Sequence, residues 1–492
     1  MTCDLRVDDT TIRPTRGPAA TAETVAPWLT VLWHPISERI GNVALLPARL
    51  SRLEPELAAP GTAQRAPLGD PHLSRTPIAI AALPGGGVRI AAPDIAELVV
   101  DGAPAGTIEL PAAALARGVV LELAGRVALL LHVRRPPRAV ATGDLVGASS
   151  ALDALRDDIA RVAALDVPVL IAGETGCGKE HVARALHQQS RRASAPFVAI
   201  NMATLAPAMA AAQLFGHARG AFTGAERAHP GLFAEADGGT LFLDEIADAP
   251  AEVQAMLLRT LETGEIRPVG GDGARRVDVR VVAASDADLS DAGELRPQLY
   301  HRLAGYRVSV PPLRERPDDI GRLLAHFVAR DLPARPPLAP GDPPWLPTAA
   351  IRAFVRHPWP GNVRELANTA RHLAIHGRTG AVALATALAP LGAPLPEPVL
   401  TAAPREITDD VLIATLAAQR WKTGAAASAL GISKTTLYAL IDRCPTIRKA
   451  RDLERDELAA SRDATEGDLD AMSAQLQVSR RGLQLRMREL GM

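Results

Sequence analysis

The string GETGCGKE, Gly173 to Glu180, constrains this chain more than any other feature because of what flanks it. The apolar run VPVLIA ahead of it reads as a buried strand, and HVARALHQQS behind it has helical spacing. A strand, a glycine-rich loop and a helix in that order are the context a phosphate-binding loop requires. Glycines at Gly173, Gly176 and Gly178 let the backbone amides of Glu174, Thr175 and Cys177 turn inward onto phosphate oxygens. The helix start adds its positive dipole end, and Lys179 supplies a point charge for the β and γ phosphates. Glu180 stands where a Ser or Thr hydroxyl usually meets Mg²⁺, so this loop lacks that ligand. Cys177 reads as a small-residue substitution, with a redox-sensitive thiolate at a helix start as the alternative.

Downstream, GGTLFLDEI ends a buried-looking strand at Asp244 and Glu245. One carboxylate there would hold Mg²⁺ through water while its neighbour polarises the attacking water, which completes a nucleoside triphosphatase. Strand-like runs at 167–172, 240–244 and 277–284 alternate with helical segments, the pattern of a parallel α/β sheet. Between 29 and 133 the pattern is different, with short β-like runs punctuated by Gly and Pro and a hairpin turning at Ala124 and Gly125, as in an all-β sandwich. Pro-rich stretches at 332–347 and 390–404 interrupt the rest, the second as a linker, and beyond it the chain is helical. At 492 residues several domains are expected. Lys and Arg number 54 against 55 Asp and Glu, so any DNA contact must come from a local patch. Three dispersed cysteines give no disulfide framework or zinc spacing, and with no signal segment or run of ~18 apolar residues the expectation is a cytoplasmic protein without a membrane partner.

The segment FGHARGAFTGA carries the motif GAFTGA: Gly220, Ala221, Phe222, Thr223, Gly224 and Ala225. Glycines around an aromatic and a threonine suit a loop with an exposed Phe tip that grips a partner. With this motif, residues 145 to 376 resemble the AAA+ sigma-54 activators. The resemblance implies ATP and Mg²⁺ as cofactors, a homo-oligomer that is hexameric when active, and Phe222 and Thr223 touching sigma-54 on RNA polymerase. It also implies nucleotide contacts by Val146 and Gly147 in LVGASSALDAL and by Arg364 in WPGNVRELAN. Asn201 in FVAINMATL resembles the residue that hydrogen-bonds the catalytic glutamate. Arg296 and Arg302 in LRPQLYHRLAGYRVSVPPLRER resemble arginine fingers that reach a neighbouring subunit's γ-phosphate. The family normally has Glu at the place of Glu180, so the missing hydroxyl is compatible with turnover. Where the first sensor usually ends in Thr-Asn, this chain has Ser285 and Asp286, and an acid there repels the γ-phosphate unless it faces Mg²⁺ or a base.

Near the end, AAASALGISKTTLYALI fits a helix-turn-helix, with Ala427 and Leu430 facing the core, Gly431 in the turn, and Leu437 and Leu440 anchoring the second helix. Ser433, Lys434, Thr435, Thr436 and Tyr438 then meet double-stranded DNA, and the segment resembles a Fis-type domain. A weak repeat follows: Leu430 aligns with Leu476, Ser433 with Ser479 and Leu437 with Leu483, while Gln477 replaces the turn glycine. This copy, with Arg480, Arg481, Arg486 and Arg488, contacts DNA or dimerises. The strings LLPARLSRLEP and PLGDPHLSRTP resemble a forkhead-associated domain, implying that Arg52, Ser74 and Arg75 contact the phosphate of a phosphothreonine protein. The family's loop asparagine is replaced by Asp101 in VVDGAPAG, an acid that opposes phosphate; the alternative is a sandwich kept for subunit contacts. A receiver domain is not expected, because Asp8 and Asp9 lack its following pattern.

The expected fold is therefore multidomain: an N-terminal all-β sandwich (25–135), a central α/β AAA+ ATPase core (144–315) with an α-helical lid (316–388), a C-terminal all-α helix-turn-helix (405–450), and a second helix-turn-helix-like repeat (455–492). The expected function is a sigma-54-dependent transcriptional activator that remodels polymerase by ATP hydrolysis. Two alternatives stand beside it: a DNA-binding regulator of the same ancestry acting without sigma-54, and a phosphothreonine-binding scaffold with secondary ATPase activity.

Overall fold

The computed structural model describes residues 25–138 apart from 61 and 94–96, then 145–286, 295–331, 346–376 and, with gaps at 420–449, 466 and 479, residues 409–491. Ser433, Lys434, Thr435, Thr436, Tyr438, Ala427, Gly431, Asp8, Asp9, the linker 390–404 and most of 332–347 lie outside the described residues. The chain divides into two compact units, 1–395 and 396–492.

Unit one begins with twelve strands: β1 (Ala26–Trp33), β2 (Val43–Leu45), β3 (Ala48–Leu50), β4 (Leu57–Ala58), β5 (Arg65–Ala66), β6 (Ile78–Ala82), β7 (Val88–Ala91), β8 (Leu98–Val100), β9 (Ala103–Pro104), β10 (Thr107–Leu110), β11 (Val119–Leu123) and β12 (Val127–Arg134). They form a sandwich, with sheet orders β5-β4-β2-β1-β12-β11-β8-β9 and β10-β7-β6-β3. The hairpin between β11 and β12 turns where the sequence places it, with Ala124 and Gly125 at φ 50° and 62° and Leu123 opposite Val127. Leu29, Val31, Leu121 and Leu129 point into the space between the sheets. Their strand neighbours Leu32, Val120, Ala128 and Leu130 point the other way and are just as buried, because alternate side chains of a strand take opposite faces.

What covers that second face is the helical lid, α8 (Ile320–Asp331), α9 (Thr348–Arg356) and α10 (Asn362–His376). Leu32, Trp33, Val120 and Leu130 share one hydrophobic core with Leu324, Phe354, Trp359 and Leu366. Each such side chain, fully buried, contributes on the order of 1.5–3 kcal/mol. The backbones approach so closely that a Cβ on Gly321 would lie 1.9 Å from the Leu32 carbonyl oxygen. Polar joints close the same face. Glu122 accepts from the Thr348 hydroxyl at 2.7 Å and pairs with Arg352, while Arg356 bonds Asp101 at 2.6 Å and the Gly118 carbonyl at 2.8 Å. The strands fill the range expected for a regulatory domain, yet the sandwich is packed as part of the lid. Asp101 accepts from the Val120 amide and faces the lid residue Arg356.

Between them in the chain comes a five-stranded parallel sheet built from β13 (Val169–Ala172), β14 (Phe197–Asn201), β15 (Thr240–Asp244), β18 (Arg280–Ser285) and β19 (Tyr306–Ser309), in the order β14-β15-β18-β13-β19. A hairpin of β16 (Glu265–Ile266) and β17 (Arg275–Arg276) stands apart. Helices α2 (Ser150–Ala163) and α3 (Lys179–Gln188) cover one face with Ile159, Val162, Val182 and Leu186. The other face holds α4 (Pro207–Phe215), α5 (Leu232–Glu235), α6 (Ala251–Thr263) and α7 (Pro297–Leu303). A short helix α1 (Ala112–Arg117) precedes β11.

Unit two contains the helix Asp409–Ala418 with a core of Leu412, Leu416, Trp421, Ala426 and Leu437, then the helices Arg455–Ala464, Leu469–Leu476 and Arg480–Glu489 around Leu458, Met472, Leu476 and Leu483. Of the positions expected to face the first core, Leu437 is fully buried and Leu430 and Leu440 are partly buried. No described helix is long and apolar enough to cross a membrane.

Candidate functional site

The Gly173–Gly178 loop leaves the carboxyl end of β13, a strand flanked on both sides by β18 and β19. That position outside a parallel sheet, followed at once by a helix start, aims loop amides and the α3 dipole into one space. Gly176 and Gly178 take φ of 77° and 107°, which a side chain resists. Lys179 is 7% exposed and its Nζ donates to the Gly173 carbonyl at 3.0 Å and sits 3.4 Å from Glu245 Oε1. Cys177 is buried, and burial pushes its thiol pKa up, which supports the small-residue reading over a reactive thiolate. Glu180 turns to solvent and pairs with Arg184 at 2.8 Å.

Asp244 and Glu245 end β15, with Glu245 in a left-handed turn at φ 51°. Burial raises both carboxyl pKa values, against the pull of Lys179. Asn201 donates to Asp244 Oδ2 at 3.2 Å, not to Glu245 as the resemblance implied. The cause is register: β14 and β15 are parallel and pair Asn201 with Asp244, so the two side chains leave the same face. Asp244 Oδ1 is buried without a hydrogen-bond partner, and a carboxylate oxygen left this way fits an Mg²⁺ site. Asp286, the first-sensor departure, accepts from the Thr175 hydroxyl at 2.8 Å and adds to the rise of the Glu245 pKa. It faces the phosphate loop, not a base.

The lid closes on this loop. Val363 and Arg364 amides donate to the Gly176 carbonyl at 3.0 and 3.3 Å, which places Arg364 beside the phosphate loop. Asn362, in a left-handed conformation at φ 52°, donates to Glu174 Oε2 at 3.1 Å and the Thr175 carbonyl at 3.2 Å. Arg314 grips the same Glu174 from outside at 2.5 and 2.7 Å, and these contacts hold its carboxyl down to about 2. Val146 and Gly147 sit on a second joint. Asp319 accepts from the Ala148 and Ser149 amides at 2.6 and 2.9 Å, and a Cβ on Gly147 would meet its carboxylate at 2.6 Å. Arg134, the last residue of the sandwich, donates to the Ala148 carbonyl and pairs with buried Asp318 at 3.3 Å. Sequence reasoning did not single out Asn362, Arg314, Asp319 or Arg134. Asn362 lies inside the quoted WPGNVRELAN, so its signal was present; the others act through contacts far apart in the chain.

The GAFTGA loop is an insert between α4 and α5. It is fastened at its base by His217 and His229 amides and carbonyls at 3.0 Å, and folded on itself by Gly220 N to the Ala225 carbonyl at 2.8 Å. Thr223 and Gly224 are exposed and Ala225 is buried. Phe222 is not the exposed tip expected: it is half-buried, its ring 5.0 Å from that of His217. Arg296 and Arg302 lie at α7, exposed; the Arg296 amide donates to Gln254 Oε1 at 2.9 Å and the Arg302 guanidinium to the Leu261 carbonyl at 3.4 Å. In the sandwich, Arg52 and Ser74 are joined by their backbones at 3.0 Å, and a cleft of about 240 Å³ is lined by Ser51, His72, Ser74, Thr76 and Glu97. Neither Arg52 nor Arg75 lines it, and Glu97 does.

A phosphate-binding loop on a central parallel strand, paired carboxylates on the next strand but one, and a helical lid seated on the loop define an AAA+ ATPase fold. Residues 145–309 match the sigma-54 interaction domain family and residues 314–390 the AAA+ ATPase lid domain, so the central part of this chain is a sigma-54 interaction domain with its lid. The C4-dicarboxylate transport transcriptional regulatory protein DctD of Rhizobium meliloti is 42% identical over 318 residues, covering 63% of this chain and 66% of that protein. The DNA-binding transcriptional regulator NtrC of Klebsiella pneumoniae is 45% identical over 248 residues, 49% of this chain and 51% of that one. Among solved structures, NtrX from Brucella abortus in complex with ATP is 33% identical, with 62% of this chain and 70% of that chain covered at a TM-score of 0.44. The chain thus spans between half and two thirds of the length of these two curated relatives.

Proposed function

We propose that the protein is a sigma-54-dependent transcriptional activator that binds upstream DNA, assembles a homo-oligomeric ring, hexameric as in the family, and uses ATP hydrolysis to open promoters bound by sigma-54 polymerase. The carrying observation is topological. The GAFTGA loop is part of the segment between β14 and β15, and Asn201, the residue from which that segment leaves β14, donates to Asp244 at the far end of β15. A change of charge at Asp244 on hydrolysis therefore pulls on one end of the insert that carries Phe222 and Thr223. Lys179 and the loop amides bind the ATP phosphates, and Glu245, whose pKa burial raises, takes the proton of the attacking water. Asp244 is the residue suited to hold Mg²⁺, which when bound neutralises phosphate charge. Exposed Arg296 and Arg302 supply guanidinium groups to a neighbouring protomer's nucleotide, so turnover requires the ring. DNA contact is assigned to Ser433, Lys434, Thr435, Thr436 and Tyr438, and the location to the cytoplasm.

The sandwich is assigned to lid contacts in preference to phosphothreonine capture, since Glu97 lines the cleft beside Ser74 while Arg52 and Arg75 do not. Promoter opening in vitro with purified sigma-54 polymerase tests the main reading. Lys179→Ala is expected to lose hydrolysis, whereas Thr223→Ala keeps much of it and fails to open DNA. Equal opening by both variants and the parent protein refutes the mechanism.

A further inference from the structure

The weak repeat of the C-terminal sequence has structural counterparts among the described residues. The helices Asp409–Ala418 and Arg455–Ala464 start and stop 46 positions apart (455 − 409 and 464 − 418). At the same spacing, Leu412 and Leu458 are both buried, as are Ala426 and Met472, and Leu437 and Leu483. Trp421 and Gly467 both hold left-handed backbones, at φ 59° and 80°. In the second copy the turn between Leu469–Leu476 and Arg480–Glu489 is made by Gln477 at φ 54°, so the missing glycine does not remove the turn. Val478 is buried directly after it.

Charge then distinguishes the helices of this copy. Arg455–Ala464 mixes Arg455 and Arg462 with Asp456, Glu457 and Asp463, whereas Arg480–Glu489 carries Arg480, Arg481, Arg486 and Arg488 against Glu489 alone. Arg486 is used internally: it donates to the Leu453 carbonyl at 3.1 Å and pairs with Glu489 at 3.2 Å. Gln484 and Arg488 are exposed, and positions 481, 484 and 488 fall on one face at helical spacing. The helix that presents this face is the one that, in a helix-turn-helix, enters the major groove.

We propose that residues 450–490 are a second double-stranded-DNA-binding helix-turn-helix within the same chain, with its arginine-rich last helix, Arg480–Glu489, on the duplex. Guanidinium groups there neutralise phosphates or read guanine edges, and Gln484 suits adenine. The proposal rests on the first copy binding DNA, so the experiment separates the two. Binding of the full-length protein to a random-sequence duplex of ~40 base pairs, long enough for two half-sites a helical turn apart, is followed by fluorescence anisotropy across a salt series. Each lost phosphate contact lowers the slope of log K against log salt by about 0.9. Replacing Arg480, Arg481 and Arg488 by Ala is expected to lower it by about 2 to 3. Replacing them by Lys restores the slope, and circular dichroism shows both variants folded. An unchanged slope overturns the proposal, as does a changed oligomeric state by light scattering with the slope intact. Lys434→Ala in the first copy gives the reference. If it weakens binding and the arginine variant does not, only the second copy falls; if the parent protein does not bind the duplex, the DNA reading falls with it.

Discussion

Arg134→Ala tests whether the sandwich is wired into the ATPase or only leans on it. The Arg134 side chain is 3% exposed and that of its partner Asp318 is 7% exposed, so neither charge has water to fall back on. Removing one member of a buried ion pair costs about 3–5 kcal/mol. Here the value belongs near ~3 kcal/mol at neutral pH, because Asp318 has a second response, taking up a proton. Burial already raises the Asp318 pKa, and Arg134 is the largest influence holding it down. The sign follows. A carboxyl that titrates higher in the folded chain than in the unfolded one makes the folded chain bind more protons, so stability falls as pH rises through and above the ordinary carboxylate range. Loss of Arg134 raises the pKa further, so the deficit of the variant is large at neutral pH and shrinks toward acid. Urea unfolding read through Trp33 and Trp359, which share the sandwich-lid core, measures it. The double replacement Arg134→Met with Asp318→Leu is expected to recover most of the loss, since neither charge is then left alone. A deficit under ~1 kcal/mol, the range of an exposed pair, or one that does not change with pH, refutes the buried-pair argument.

Gly176→Ala combines a left-handed φ of 77° with a Cβ 2.4 Å from the Gly361 carbonyl oxygen, so the lid must lift from the phosphate loop, and ATP affinity measured by calorimetry is expected to fall at least tenfold. Wild-type affinity in this variant removes the lid contact from the site. Asp286→Asn deletes a charge that pushes the Glu245 pKa up, so the acid limb of the ATPase pH profile moves to lower pH. An unmoved limb means that Glu245 is not the group titrating.

How much of this was legible in the sequence depended on how local the cause was. The phosphate loop, Asp244 with Glu245, and the turn at Ala124 and Gly125 are set by residues within a few positions, and the structure has them where the sequence puts them. Asn201 was recognised as a site residue, but its partner is fixed by the register of two strands 43 residues apart, which no local pattern encodes. Phe222 reads as exposed from its glycine neighbours, and only the pairing of His217 with His229 brings a ring beside it. Asp101 reads as a loop acid facing a ligand because the lid arginine it meets lies 255 residues away. β11 and β12 read from the sequence as one hairpin of a sandwich, and nothing in the strands names the helices that bury their second face.

The joints fix which step of turnover the sandwich touches. Its face is fused to α8 and α10; the turn leading into α8 carries Asp319, which holds Ala148 and Ser149 beside the expected nucleotide contacts Val146 and Gly147, and the start of α10 holds Gly176 and Glu174 of the phosphate loop. Asp244, Glu245 and the GAFTGA insert, by contrast, hang on the core packed around β15, α4 and α6, to which no residue of the sandwich belongs. The sandwich is therefore joined more directly to the phosphate loop than to Asp244 and Glu245, which it reaches through that loop's Lys179. Loosening Arg134 accordingly weakens nucleotide affinity in larger measure than the rate at saturation, because affinity is set by the closed lid. Moving the lid without the sandwich would require breaking Glu122, Arg134 and a shared apolar core together, at a cost of several kcal/mol. The sandwich and the lid are thus joined by one apolar core and by the Glu122 and Arg134 contacts, on the side of the chain that seats the phosphate loop.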